Sequence, residues 1–235
     1  MSDTETLADR LAGIRAKRGY LLPHHGLMAI TSPTLLQAYD AAYTAMALDD
    51  RVLGHHDREF VWLAVLIATD EARATHHIAK FRAAGGTDAE IGVAMAVSAL
   101  TLGFSSYRFV ETYWLPHLPT IHPHDIYLDT LRHVARDVPM RLIHMAAAAV
   151  HVCKAAWDAL EVQIIAAYGD DVPEADLAEA LSLAMFPGSI PHFVEAAGVW
   201  REIIAAGKVD ASPAFREWAA LSGQGGFDEA SAAKK

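Results

Sequence analysis

Histidine is the residue type best able to do chemistry in this chain, at 13 of 235 residues. Adjacent pairs stand at 24–25, 55–56 and 76–77, and His117, His122 and His124 form a loose group. Imidazole titrates near neutral pH, so a partly buried ring can give or take a proton, or ligate a metal. The pattern argues against a metal: no His-x3-His with supporting carboxylates falls on a helix, although His144 and His151 lie two turns apart. No metal and no organic cofactor is expected. The single cysteine, Cys153, reads as a buried, inert thiol, and one thiol supports neither an internal disulfide nor a Cys-x-x-Cys redox pair.

The stretch Arg58-Glu59-Phe-Val-Trp62-Leu-Ala-Val-Leu-Ile-Ala-Thr-Asp-Glu-Ala-Arg73-Ala-Thr-His76-His77 carries the densest set of reactive types. Each has a plain structural reading. Glu59 is an acid favoured by the dipole at a helix start, or a partner of Arg58. Arg73 pairs with Asp70, Glu71 or an acid on a neighbouring helix. A histidine beside an apolar helix face is ordinarily a satisfied polar residue.

Helix signals dominate the rest of the chain, and period-2 alternation is absent, so the fold class is all-α. A first amphipathic helix is expected over 3–19. Ser32-Pro33 opens a second by the cap-then-proline rule. From Arg58 to Thr69 apolar residues occupy nearly every face, which describes a helix buried at the centre of a domain. The next helix, 71–84, stops at Gly85-Gly86, and Thr87-Asp-Ala-Glu90 is a capping box that opens another. Later helices are expected over 175–185 and 193–206.

The chain is written twice. Phe109-Val110-Glu111 falls on Phe193-Val194-Glu195 at a shift of 193 − 109 = 84, and the same register superposes Gly85 on Gly169, Glu90 on Glu174 and Ser98 on Ser182. A period this long is a duplicated subdomain and not a solenoid repeat. The division expected is an N-terminal helix and extended arm over 1–30, a first repeat over 31–115, a Pro-rich linker over 116–124, a second repeat over 125–206, and a C-terminal helix and tail over 207–235.

A hydrophobic content of 53% provides for a large core and excludes disorder for most of the chain. The net charge of −10, with no clustered Lys and Arg, excludes nucleic acid as partner. No apolar run approaches the roughly 20 residues of a membrane span, and the acidic start lacks the features of a signal peptide. A cytoplasmic protein without nucleic-acid or membrane partners is expected.

An Arg-Glu pair opening a buried helix, a His eight residues before the helix-ending Gly85, and Thr87-x-x-Glu90-Ile91 together resemble the carboxymuconolactone decarboxylase and alkylhydroperoxidase-D-like superfamily. The resemblance implies two tandem alkylhydroperoxidase-D-like helical repeats over about residues 30–205. It implies His77 as the catalytic or proton-relay histidine and Glu59 as its acid/base partner, with His76 as an alternative proton donor. Arg73 is expected to clamp a substrate carboxylate, with Trp62 as a further substrate-binding residue. His25, after Leu21-Leu22-Pro23, is expected to reach over the His77 pocket as a second wall. The peroxidase branch has two cysteines just before the histidine, where this chain has Thr69-Asp70-Glu71-Ala72-Arg73, so a thiol-disulfide cycle has no resolving pair. The second copy has Glu161 in place of His77 and Leu142-Ile143 in place of Arg58-Glu59, and is expected to have lost the chemistry.

Three functions follow as expectations: a cofactor-independent decarboxylase-like lyase on a carboxylated or lactone substrate, a peroxidase-like antioxidant protein, or a non-catalytic binding or structural paralogue. The resemblance also implies a homo-oligomer, with a trimer favoured.

Overall fold

A computed structural model describes residues 6–232, and among these there are helices and no strand. The contacts divide the chain into two units, 1–50 and 51–235.

The first unit holds α1 (Leu7–Arg18), α2 (Pro23–Thr31) and α3 (Pro33–Ala47). Thr6 and Asp9 cap α1 reciprocally, and Gly19 ends it in the left-handed conformation, with its N–H on the Arg15 carbonyl. The expected helix start at residue 3 lies outside the described residues. The expected extended arm is corrected, because Pro23 begins α2 at its first turn, the position where a missing N–H costs nothing. Helix α3 packs on α2 and falls in the N-terminal unit. Ile14, Ala29 and Leu36 form its small core.

The second unit runs through α4 (His55–Ala68), α5 (His76–Ala83), α6 (Asp88–Leu102), α7 (Phe104–Phe109), a π-helical turn (Val110–Trp114) and a 3-10 turn (Leu115–His117). It continues with α8 (Pro123–Ala135), α9 (Met140–Cys153), α10 (Trp157–Gly169), α11 (Glu174–Ser182), a 3-10 turn (Leu183–Met185), α12 (Ile190–Ala205), α13 (Pro213–Ala220) and α14 (Gly226–Ala232). Helices α4 and α9 pack on each other at the centre, with α6 against both, α5 against α4, and α10 and α11 against α9. From Phe60 to Val65 every residue of α4 is buried, and so is all of α9 from Leu142 to Cys153. This is the all-round apolar pattern of a central helix. Shifted by 84, α4 covers 139–152 against α9 at 140–153, and α5 covers 160–167 against α10 at 157–169.

Helix α5 differs from expectation. Asp70 takes a left-handed conformation (φ 58°), residues 70–75 form turns, and α5 begins only at His76. Arg73 therefore lies in the connection and not one helical turn before His77. The capping box at Thr87 and Glu90 forms as read.

The segment Asp88–His117 is helical almost without interruption. Its most apolar 18 residues have a mean hydropathy of 1.4, so by length and composition it is capable of crossing a membrane. No apolar stretch of the sequence suggested that length, because α6, α7 and the two turns join end to end across Gly103. Its α6 part packs against α4, α8 and α9 in the core.

Candidate functional site

Glu59, Trp62 and Leu66 fall at i, i+3 and i+7 on α4, so they share one face. Helix α5 packs on α4 and delivers His77 to that face. The His77 Nδ1 lies 2.6 Å from the Glu59 Oε2, and the two residues are only 3% and 1% exposed. A carboxylate only accepts, so Nδ1–H is the donor and Nε2 is left as the nitrogen able to exchange a proton with another group. A short hydrogen bond of this kind fixes both the tautomer and the ring plane, and it stabilises the imidazolium if Nε2 is protonated.

Two rings frame the imidazole. The Trp62 ring lies 4.9 Å away and tilted by 32°, and the His76 ring lies 4.3 Å away on the other residue of the pair. The Trp62 Nε1 is buried and has no hydrogen-bond partner. A buried indole N–H normally finds an acceptor, and leaving it unmade costs about 1–3 kcal/mol. Beside Glu59, the Arg58 guanidinium is fully buried and its Nη2 donates to His55 Nδ1 at 2.7 Å.

Arg73 is exposed in the α4–α5 connection and outside the lining of the cavity there. His25 belongs to the N-terminal unit, where its Nδ1 accepts from the Leu22 N–H at 3.0 Å and its Nε2 meets Arg18 Nη1 at 3.0 Å. Burial foremost, then His24 and Arg18, pushes the His25 pKa down to about 4. It serves as the cap of α2.

A cavity of about 450 Å³ opens at the α4–α5 corner, walled by Leu63, Leu66, Ile67 and Ile78 and rimmed by Asp70 and Glu71. The Glu59–His77 pair does not line it. Leu66 is four residues from Trp62 on α4, and Ala74, also in the lining, accepts the His77 backbone N–H at 3.0 Å. The cavity thus sits one turn from the pair on both helices.

Helices α8, α9 and α10 carry a polar network that the sequence did not reveal. Asp170 Oδ2 accepts from His144 Nε2 at 2.7 Å, and His144 Nδ1 accepts from Gln163 Nε2 at 2.6 Å. Gln163 Oε1 accepts from the Tyr127 hydroxyl at 3.2 Å, and that hydroxyl oxygen accepts from His151 Nε2 at 3.0 Å. These directions fit two neutral imidazoles, each with one N–H. Burial lowers the His144 pKa against the pull of Asp170, and lowers that of His151 to about 3. The signal available in sequence was the two-turn spacing of His144 and His151, but Tyr127 and Gln163 lie on other helices. Among the described residues, no group of three or more His, Cys, Asp or Glu is disposed to hold a metal.

Fold and site together define an all-α protein whose central helix presents a buried carboxylate to the imidazole of the next helix. Residues 33–112 match the model of the carboxymuconolactone decarboxylase family. The match spans α3 to the π-helical turn and stops short of α8–α12. No curated protein and no solved structure matches the chain.

Proposed function

We propose that the protein is a cofactor-independent acid–base enzyme of the carboxymuconolactone decarboxylase type, acting next to the carbonyl of a lactone or carboxylated substrate. The observation that carries this is the 2.6 Å hydrogen bond between Glu59 and His77 inside the core. In a decarboxylation the C–C bond to the carboxylate breaks, CO₂ leaves, and the electron pair remains as an enolate. His77 Nε2–H gives its proton to that carbon, while Glu59 holds the ring and balances the imidazolium charge. His76, whose ring lies 4.3 Å from that of His77, is the nearest second imidazole for returning the proton to solvent. The clamp role of Arg73 has no support from its place in the exposed connection.

The test is proton exchange at the carbon next to a lactone carbonyl, followed in deuterium oxide. Wild type should catalyse it and His77→Ala should not, with the fold of the variant checked by circular dichroism. Exchange undiminished in His77→Ala overturns the reading.

The closure of the pair from solvent favours a second reading, a non-catalytic paralogue that keeps Glu59–His77 as a core hydrogen bond. A peroxidase-like role draws no support, because burial raises the Cys153 thiol to about 12 and the sequence has no second cysteine.

The proposal extends to a cytoplasmic homo-oligomer, a trimer by family likeness, built from duplicated subunits. Met95, Leu102 and Phe109 are spaced by seven along the α6–α7 rod and are 56%, 45% and 45% exposed, with Tyr113 and Trp114 beyond them. Such an apolar stripe suits a second copy of the chain. Light scattering on a sizing column reads the answer, and a 25.4 kDa particle would contradict it.

A further inference from the structure

A cavity of about 250 Å³ lies among α11, α12 and α13, beyond the residues that match the family model. Leu181, Phe193, Trp200, Phe215 and Trp218 wall it, and the rest of its lining is alanine. None of these residues carries a charge. The Trp200 and Phe215 rings lie 5.1 Å apart, and Trp218 stands edge-on to both, at 6.1 and 5.9 Å. Three rings set at such angles offer both faces and edges to a further ring.

The hydrogen-bonding groups around this cluster are engaged with one another. Trp200 Nε1–H donates to the Tyr168 hydroxyl at 3.1 Å, and that hydroxyl donates to Glu174 Oε1 at 2.6 Å. The same carboxylate oxygen accepts the Ser212 N–H at 3.0 Å, and Arg201 Nε–H donates to the Ala219 carbonyl at 3.1 Å. An ordered water needs about two to four polar partners, and a cavity without them takes an apolar occupant instead. An apolar cavity of about 150 Å³ is large enough for benzene. At about 250 Å³, this one has room for a benzene ring with a short alkyl arm.

From this we infer that the α11–α12–α13 cavity is a binding site for an uncharged, single-ring aromatic molecule. Glu59, Trp62 and His77 are all outside its lining, so the occupant is a separate ligand and not the substrate of the acid–base pair. A carboxylate on the ring would enter without a cation to meet it and lose its hydration, which excludes the charged analogue.

The experiment uses the full chain and two probes of similar size, ethylbenzene and phenylacetate. The readout is the pair of indole N–H resonances of Trp200 and Trp218, assigned by their loss in Trp200→Phe and Trp218→Phe. Ethylbenzene should shift both saturably below its solubility limit and raise the melting temperature, as any ligand of the folded state does. Phenylacetate should bind at least about tenfold more weakly. Ala197→Phe fills the cavity from α12 and Ala214→Phe from α13, and each should weaken ethylbenzene binding by about tenfold or more. Ala214 is exposed, so its variant keeps the test in hand if Ala197→Phe does not fold. Resonances unmoved by ethylbenzene overturn the inference. So does phenylacetate binding as tightly as ethylbenzene, or undiminished ethylbenzene affinity in a filling variant whose helicity matches wild type by circular dichroism.

Discussion

Asp57 and Arg141 are 84 residues apart, the interval at which the sequence repeats, and they form an ion pair between the first turns of α4 and α9. Arg141 also reaches Asp176 at 2.6 Å, so one guanidinium joins both carboxylates to the start of α9.

Removing that guanidinium leaves two half-buried acids facing each other. Arg141→Ala should lower unfolding stability by about 1–3 kcal/mol, and Arg141→Lys by less, because an ammonium cannot engage two carboxylates as a planar fork. Urea denaturation of Arg141→Ala, Asp57→Ala and the double variant gives the coupling. Additive effects would mean that the ion pair contributes nothing.

For the Glu59–His77 pair, Glu59→Gln keeps the shape and removes the charge that stabilises an imidazolium. Proton exchange on a bound lactone should fall by about 10²-fold in Glu59→Gln and at least as far in His77→Ala. Glu59→Ala should instead lower stability by about 3–5 kcal/mol, since it leaves a buried imidazole without its partner. Full exchange activity in Glu59→Gln would reduce Glu59 to a packing role.

Acid should loosen the packing around α9 first. The folded pKa of His151, about 3, lies below the ordinary histidine value of 6.5. The unfolded chain thus takes up a proton that the native state refuses. Stability from this group is complete above pH 6.5 and declines as pH drops towards 3, by about 1.4 kcal/mol per pH unit. His144, lowered in the same direction, adds to the slope. Urea midpoints between pH 7.5 and 5 cover a range above most carboxylate titrations, and a flat profile there would contradict neutral, buried imidazoles.

Gly188 is held by contact and not by its dihedral angles. A Cβ there would stand 2.8 Å from the Ala184 carbonyl oxygen and 2.9 Å from the Cys153 Cα, both backbone atoms. Gly188→Ala should cost about 1–3 kcal/mol by overpacking. Gly92, inside α6, has nothing within 4 Å of its Cβ position, and Gly92→Ala should gain up to about 1 kcal/mol from helix propensity. Thermal melts of the two variants shifting in the same direction would refute the contact argument.

The all-α class, the buried helix α4, the capping box at Thr87 and the family likeness were legible in the residues, because each depends on a local period or cap. The start of α5 was not. A left-handed Asp70 is not encoded by any glycine, so Arg73 read as helical when it lies in a turn. Nor was it legible that α3, which the family match at 33–112 includes, makes its contacts with α2.

By itself, the sequence determined which helices form and which residue types face the core, since propensity, capping and apolar periodicity act over a few neighbours. Tertiary structure decided the partners. It set Glu59 against His77 across 18 residues, closed the chain from Asp170 to His151 over three helices, and left the Trp62 N–H unanswered beside the imidazole. Hydrogen bonds between distant residues depend on how helices cross and rotate, and that is settled only when the whole core packs.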